Sequence, residues 1–435
     1  MRSKEMRSRA SDPELEKRMT SELESPHPRV PRCVRLAYLV SHPIQYQAPL
    51  LRRIAQEPDI DLTVFFGSDF SVRGYKDAGF GVGVKWDVPL LDGYKHVFLP
   101  KLRDGQDIGV AKPLNYGIAS RLRGGNGSVP FDALWVHGYA SVNAMHGMLA
   151  AKSLGIPVLL RAESWLRDRG RSGLKLALKN AFFAGLKELV DGVLPIGALN
   201  AEYWHHYFGD DVPQFLMPYA VDNAYFALRA REAEAGRASL RAELGLDPAR
   251  PVILFASKLQ TRKHCDHLVA AYAQLSPAPG VEPNPYLVIV GDGEERAALE
   301  RQAAATGFGS IRFCGFRNQS ELPRFFDLAT VFVLPSQHEP WGLIVNEVMN
   351  AARPAIVSDD VGSGPDLIED GVNGCIYPVG DVDALANALR RVVETPGVAK
   401  AMGQRAFERV QCWGFEEDVR GLRRALATVV PRFVE

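Results

Sequence analysis

Two glutamates, Glu339 and Glu347, lie in the stretch SQHEPWGLIVNEVMNAARP (residues 336–354), with seven residues between them. A pair of carboxyl groups about 5 to 9.5 Å apart can hydrolyse a glycosidic bond. If the intervening segment is helical, eight steps of about 1.5 Å separate the two groups by ~12 Å, which excludes that geometry. In a second interpretation Glu339 complements a helix amino terminus near Pro340, and Glu347 is an ordinary helix residue. In a third, both residues contact one long ligand, such as a nucleotide sugar, whose anionic group faces that helix terminus.

Glycine turns after neighbouring strand candidates favour the ligand. Gly291 and Gly293 lie in VGDGEE, and Gly362 and Gly364 lie in SDDVGSGPDLI. Glycine allows close backbone approach, and the carboxyl ends of parallel strands are where such folds bind ligands. No G-x-G-x-x-G motif follows the first strand candidate, which disfavours a dinucleotide dehydrogenase.

Three cations, Lys258, Arg262 and Lys263, occur in FASKLQTRKH just after the strand candidate at 252–256. At the end of a strand they can stabilise the charge on a departing diphosphate. A solvated basic loop is the alternative.

Three polar residues of the first half, His42, His137 and Glu163, also follow strand candidates. We therefore expect them to converge on a cleft opposite the cations. For each histidine, a buried ring bonded to the backbone is the alternative.

The elements that must position these residues alternate between short apolar runs and amphipathic helical stretches, which predicts an α/β fold with buried parallel strands. Strands are predicted over residues 36–40, 62–66, 133–136, 157–160 and 192–195, and over 252–256, 286–290, 310–313, 331–334 and 354–357.

The rhythm of strands and helices breaks near residues 216–232, which predicts a domain connection there. We expect a disordered tail over 1–32, an N-terminal Rossmann-like domain over 33–226, a C-terminal domain over 227–412, and a last helix within 413–435 that packs back on the first domain. The tail is predicted from its eight basic and six acidic residues and its few apolar ones.

The composition is that of a globular chain: 435 residues, 46% hydrophobic, with 51 basic and 51 acidic residues. A formal charge of zero gives no overall attraction to nucleic acid. Five scattered cysteines argue against a disulfide framework and a zinc site, and with no signal peptide evident they predict a cytoplasmic protein.

Residues 251–388 resemble the donor-binding half of the retaining glycosyltransferases of family 4. The likeness rests on SKLQTRK, VGDGEE, RFCGF and VFVLPSQHEPWGLIVNEVMNAARPAIVSDDVGSGPDLIEDGVNG. More loosely, YLVSHPIQYQAPLLRRIA, LWVHGYAS and VLLRAESWLRD resemble a subgroup of the same family. The resemblance implies a GT-B fold, in which two doubly wound Rossmann-like domains face a central cleft.

The resemblance also implies roles for individual residues. Glu339 would contact the donor sugar, Glu347 the ribose, and Lys258 and Lys263 the diphosphate. His137 would lie near the donor hexose. Four residues would surround the sugar and phosphate: Pro340, Trp341, Gly342 and Leu343.

The chain departs from the family pattern at four places. Lys258 replaces an arginine and lacks its bidentate fork. Asp366 replaces a glutamate and Ala352 a glycine, while SHPIQYQAP replaces the usual glycine-rich loop.

By this resemblance the protein is a retaining transferase. It would move a sugar from a nucleoside-diphosphate sugar to a hydroxyl of a glycan or lipid-linked glycan, in cell-surface polysaccharide synthesis. The leaving diphosphate would serve as the base, and no metal or other cofactor is expected. A non-catalytic sugar-nucleotide binding protein, an epimerase and a phosphorylase of similar fold remain alternatives.

Residues 167–190 carry six basic and two acidic residues, with apolar residues at helical spacing. Such a helix can lie on an anionic membrane surface, although a stripe of this kind is more often core. The stripe comprises Leu174, Leu178, Phe182, Leu186 and Leu189.

Overall fold

The structure is a computed structural model that describes residues 33–76, 79, 81, 83–103, 108–124, 129–167, 173–278 and 280–433. The predicted tail at 1–32 and residues 168–172 of the predicted basic helix lie outside the described residues.

The first domain is built on a six-stranded parallel sheet with the strand order β6-β5-β4-β1-β2-β3. Its central strands are buried along almost their whole length, because helices cover both faces and apolar β-branched runs fill the space between them. The strands are β1 (Val34–Val40), β2 (Ile60–Phe66), β3 (Lys95–Phe98), β4 (Ala133–His137), β5 (Val158–Arg161) and β6 (Gly192–Val193).

The second domain repeats the plan with the order β9-β8-β7-β10-β11-β12. In both sheets the chain starts in the middle, winds to one edge and then returns to the other, which is the doubly wound Rossmann order. The strands are β7 (Val252–Ala256), β8 (Tyr286–Val290), β9 (Ile311–Phe313), β10 (Val331–Leu334), β11 (Ala355–Ser358) and β12 (Gly374–Tyr377).

The described helices pack on both faces of the two sheets. They are α1 (Ala48–Ile54), α2 (Phe70–Arg73), α3 (Ile118–Leu122), α4 (Val142–Ser153), α5 (Gly173–Lys187), α6 (Ala198–Phe208), α7 (Asn223–Ala233), α8 (Arg237–Glu243), α9 (Cys265–Ala273), α10 (Arg296–Ala305), α11 (Leu322–Leu328), α12 (Ile344–Met349), α13 (Gly364–Leu367), α14 (Val382–Val393), α15 (Val398–Gln411) and α16 (Phe415–Val429).

Strand prediction succeeded where the apolar run is buried on both faces. All ten predicted strands are present, and β7, β8 and β10 match their predicted ends. The prediction missed the four short strands of two antiparallel pairs, Tyr75–Lys76 with Gly83–Val84 and Lys101–Arg103 with Leu114–Asn115. In the two parallel sheets it missed Lys95–Phe98 and Gly374–Tyr377, which lie at the sheet edges. Each has only four residues, and they begin with lysine and glycine, so neither gives a clear apolar run.

The last helix, α16, lies on the first domain although it follows the second in sequence. Its apolar side chains join the core beneath β1 and β2. Arg423 pairs with Asp59 at 2.8 Å. A buried ion pair also joins Arg161 on β5 to Asp418 at 3.1 Å. The chain therefore crosses between the domains twice, before α7 and again before α16.

Candidate active site

The loop after β10 carries Glu339. It runs to Leu343, and α12 begins only at Ile344, later than the predicted start near Pro340. The Glu339 amide donates to the carbonyl of Asp360 at 3.1 Å, and the Gly362 amide donates to the carbonyl of Glu339 at 2.8 Å. A side chain at Gly362 would collide with the carbonyl of Pro340. The glycine turn after β11 therefore holds the Glu339 loop in place.

Glu339 and Lys263 form an ion pair across two strand ends. The Lys263 ammonium donates to Glu339 Oε2, and Arg262 Nη1 lies 3.5 Å from the same oxygen. Lys263 is buried, whereas the Arg262 side chain is 45% exposed. Burial lowers the pKa of Lys263, and the Glu339 carboxylate opposes that fall. Two predicted site residues, one assigned to the diphosphate and one to the sugar, thus contact each other even though 75 residues separate them in sequence.

Glu347 lies on α12, and its carboxyl group is half-buried. That carboxyl group forms no hydrogen bond or ion pair with any residue that the structure describes. Burial raises its pKa to about 8. A carboxyl group held in this way can accept hydrogen bonds from ligand hydroxyls without giving up a partner in the protein.

A cavity of about 350 Å³, the charged cavity, lies at the carboxyl ends of β7 and β8 and is also lined by the start of α12. Glu347 and the three predicted cations line it, together with Arg317. Its predicted site residues are Lys258, Arg262, Lys263, Gly291, Leu343 and Glu347. Gly291 has φ of +134°, and a side chain there would collide with the carbonyl of Ser257, so only glycine lets these strand ends meet.

Trp341 faces the protein interior. It is 3% exposed, stacks on Trp413 at 5.7 Å, and donates through its indole to Asn346 at 3.0 Å. Gly342 has φ of +88° and packs on Leu334. These two residues and Pro340 shape the Glu339 loop from behind, and their contact with a ligand stays a prediction.

The first domain holds a second cavity of about 450 Å³, the neutral cavity, lined by His137 and Glu163. Gln47 lies 3.1 Å from His137 and accepts from the Tyr38 hydroxyl at 2.6 Å. Burial, together with nearby Arg161, lowers the pKa of His137 to about 3. The ring is therefore neutral at physiological pH.

Glu163 accepts hydrogen bonds from two tyrosines. Tyr46 donates at 2.7 Å, and Tyr219 donates to the same carboxylate oxygen. His137 Nε2 lies 3.9 Å from that oxygen. Tyr219 also joins the domains, because its carbonyl accepts from Trp413 at 2.9 Å.

His42 does not line the neutral cavity, although the adjacent Ser41 does. Its ring stacks on Phe70 at 4.7 Å, and its Nδ1 lies 2.9 Å from the Ser41 hydroxyl. Burial lowers its pKa to about 4.

Sequence reasoning missed several residues of this network. Tyr46 and Gln47 lie in SHPIQYQAP, the segment that departs from the family pattern, so that departure was the available signal. Tyr219, Arg161 and Asp418 gave none, because they come from three distant parts of the chain.

One group of residues within the described ranges could hold a metal ion. It comprises His264, Asp266 and His267, whose ligand atoms lie within 4.8 Å of one another. The group adjoins Lys263 but does not line the charged cavity.

The family described as "Glycosyl transferases group 1" matches residues 236–409. The match covers most of the second domain and none of the first. Similar curated proteins include alpha-D-kanosaminyltransferase of Streptomyces kanamyceticus, 32% identical over 40% of this chain and 44% of its own length. D-inositol 3-phosphate glycosyltransferase of Streptomyces avermitilis is 33% identical over 43% of this chain and 42% of its own. The chain thus spans less than half the length of each of these two relatives.

Solved structures extend the likeness to the whole fold. HepE from Anabaena, solved in complex with UDP, superposes with a TM-score of 0.66 over 91% of this chain and all of its own, at 16% identity. Sucrose-phosphate synthase from Thermosynechococcus elongatus gives 0.64 over 91% and 99%, at 20% identity. The fold is therefore GT-B. Of the helices in the described part of the chain, none combines the length and apolar character needed to cross a membrane.

Proposed function

We propose that this protein is a retaining family 4 glycosyltransferase that moves a hexose-type sugar from a nucleoside-diphosphate sugar to a hydroxyl of a glycan or lipid-linked glycan. Cell-surface polysaccharide synthesis is the setting proposed for it. The observation that carries the proposal is the charged cavity beside Glu339. Four basic residues line it together with the Glu347 carboxyl group, which has no partner among the described residues.

The charges in this cavity match the parts of such a donor. Lys258, Arg262 and Lys263 would contact the diphosphate, while Glu347 would accept from the ribose hydroxyls. Glu339 would exchange its contact with Lys263 for the sugar hydroxyls. Support also comes from HepE, which has a similar fold and was solved with UDP-glucose.

In the reaction, the bond between the sugar C1 and the diphosphate oxygen breaks, and its electron pair stays with the diphosphate. The acceptor oxygen bonds to C1 on the same face and gives its proton to the departing diphosphate. The cations stabilise the charge that develops on the leaving group. With the charge neutralised in this way, we propose that no metal ion is required.

The neutral cavity would hold the acceptor. Its polar side chains include His137, Glu163, Lys112, Ser141 and Asn143, and His137 is neutral, so its ring can exchange hydrogen bonds with sugar hydroxyls. His42 would contribute to the acceptor side indirectly, by holding the loop that follows β1.

Peripheral contact with an anionic membrane through α5 is part of the proposal. Leu174 and Leu178 are 73% and 63% exposed, and Phe182 is 40% exposed, whereas Leu186 on the same helix is buried. Exposed Lys175 flanks this apolar face. Flotation with anionic liposomes should carry the wild type but not the double variant Leu174→Ser with Leu178→Ser. Leu228→Ser, at a 50% exposed leucine on α7, is the control.

The experiment for the donor is thermal unfolding with UDP, GDP, ADP and their sugars. A ligand at about 100 times its Kd adds roughly 2.7 kcal/mol to the free energy of unfolding. We expect a rise in the midpoint with one base, lost in Lys263→Ala and kept in Lys400→Ala, an exposed lysine on α15. If no nucleotide raises the midpoint, the donor assignment is wrong.

Product analysis then distinguishes the proposed transferase from its rivals. We expect transfer that depends on an added acceptor and retains the donor's anomeric configuration. Sugar conversion without an acceptor would indicate an epimerase, and dependence on free phosphate would indicate a phosphorylase. Binding with no conversion under any of these conditions would indicate a non-catalytic protein.

A further inference from the structure

A segment of the first domain, residues 85–89, crosses the cleft and lies on the second domain. We call it the strap. The Lys85 carbonyl accepts from the Asn318 side chain at 2.8 Å. The Asp87 carboxylate accepts from the Ser320 hydroxyl. These contacts join the connection between β2 and β3 to the segment that follows β9.

Trp86, between these two anchors, lines the charged cavity. The cavity lining also includes Phe316, Arg317 and Gln319, and the Trp86 side chain is partly exposed. The three predicted cations follow β7 and Phe316 follows β9, so basic and aromatic side chains line the same cavity. Glu347 lines the same cavity from α12.

We propose that Trp86 stacks on the base of the nucleoside-diphosphate donor, so that the first domain completes a nucleotide subsite otherwise built by the second. This inference rests on the proposed function. A flat aromatic ring covers one face of a base regardless of its hydrogen-bonding edge, while excluding water from it. The strap continues over a second, smaller cavity through Val88 and Pro89, and Glu347 lines that cavity too.

The position of the strap has a consequence for release. The ring can cover a bound base only while residues 85 and 87 keep their contacts with the second domain. Loss of the Asp87 contact should therefore speed dissociation of the nucleoside diphosphate. The effect should be smaller than that of removing the ring, because both Asp87 and Ser320 are exposed and their contact is solvated.

The test is calorimetric titration of wild type and Trp86→Ala with the nucleoside diphosphate that the wild type binds, and with pyrophosphate. Pyrophosphate has the phosphates but no base. We expect Trp86→Ala to weaken nucleoside diphosphate binding by roughly 5- to 150-fold, the equivalent of about 1 to 3 kcal/mol. Pyrophosphate binding should be unchanged, whereas Lys263→Ala should weaken both.

Trp86→Phe, which retains an aromatic face, should recover most of the affinity. Leu102→Ala is the control, since Leu102 is an apolar residue of the same domain, just after β3, 68% exposed and outside the cavity lining. Equal nucleotide affinity in Trp86→Ala and wild type would overturn the stacking role and leave the proposed function standing. Equal weakening of nucleotide and pyrophosphate would show that Trp86 only shapes the cavity. A wild type that binds no nucleotide would remove the proposed function and this inference together.

Discussion

The charged cavity and the neutral cavity present different kinds of side chain to a ligand. The charged cavity brings together four basic residues, Lys258, Arg262, Lys263 and Arg317, and one carboxyl group, and most of its lining comes from the second domain. At the neutral cavity, tyrosine, glutamine and a neutral histidine surround Glu163, and of this group His137 and Glu163 line the cavity itself. A diphosphate needs charge, which a short basic segment supplies. Sugar hydroxyls need oriented neutral groups, and these must come from several elements.

Breaking the buried ion pair that ties α16 to the first domain should have the largest effect. Asp418→Ala should destabilise the protein by about 3 to 5 kcal/mol, because it leaves the Arg161 charge buried without its partner. Denaturant unfolding measures the loss. Asp418→Asn, which keeps an acceptor, should lose less. If Asp418→Ala costs below about 1 kcal/mol, the neutral cavity does not depend on this pair.

The charged cavity should depend most on Lys263. Lys263→Ala should lower kcat/KM by about 10²- to 10³-fold, equivalent to roughly 2.7 to 4 kcal/mol of transition-state stabilisation. Arg262→Ala is the control and should lose less, because Arg262 is largely solvated. Unchanged turnover in Lys263→Ala would contradict the phosphate role.

The proposed contact between Glu347 and the ribose should matter for donor binding and not for the chemical step. Glu347→Ala should raise the KM for the donor while kcat changes little, because the ribose contact is the same in ground and transition states. Kinetics at varied donor concentration measure it. A variant that binds the free nucleoside diphosphate as the wild type does would contradict the assignment.

Acid should destabilise the protein through His137, which lines the neutral cavity. The folded pKa of His137 is about 3 against 6.5 unfolded, so its contribution to stability is fully present above pH 6.5 and is lost as the pH falls towards 3. His137→Gln should flatten this dependence by about 2 kcal/mol. Midpoints of thermal unfolding across pH 3 to 8 measure it, and equal slopes in variant and wild type would argue for a charged ring.

The charged cavity should show the opposite slope. Glu347 has a folded pKa of about 8 against 4.5 unfolded, so the folded state holds its proton more tightly and stability falls as the pH rises from 4.5 to 8. Glu347→Gln should be more stable than wild type by about 1 kcal/mol above pH 8. No gain there would mean that water solvates the carboxylate.

A backbone position in the second domain should give the smallest effect. Ala352, which replaces the family's usual glycine, has φ of +54°. The left-handed conformation costs a residue with a side chain roughly 1 to 2 kcal/mol, and the freer unfolded chain of glycine offsets about 0.4 to 1 of that. Ala352→Gly should therefore stabilise the protein by about 0.5 kcal/mol. Denaturant unfolding measures this gain as a higher midpoint concentration, with the dependence of the unfolding free energy on denaturant unchanged.

The sequence by itself determined the α/β alternation, ten of the twelve strands of the two parallel sheets, and six of the residues that line the charged cavity, because these signals are local. A short apolar run predicts a strand that is buried on both faces. A glycine or lysine just after that run is predicted to lie at the carboxyl end of the strand, where ligands bind. Lys263 and Glu339 could be matched without coordinates, since adjacent parallel strands bring their carboxyl ends to one edge.

Only the tertiary structure decided the rest. Tyr46, Gln47, Tyr219 and Glu163 meet although up to 173 residues separate them, and no period or motif encodes that meeting. The same holds for Arg161 with Asp418 and for Trp86 over the charged cavity. These contacts depend on how the two domains and the returning α16 pack, which is set by the fit of whole surfaces.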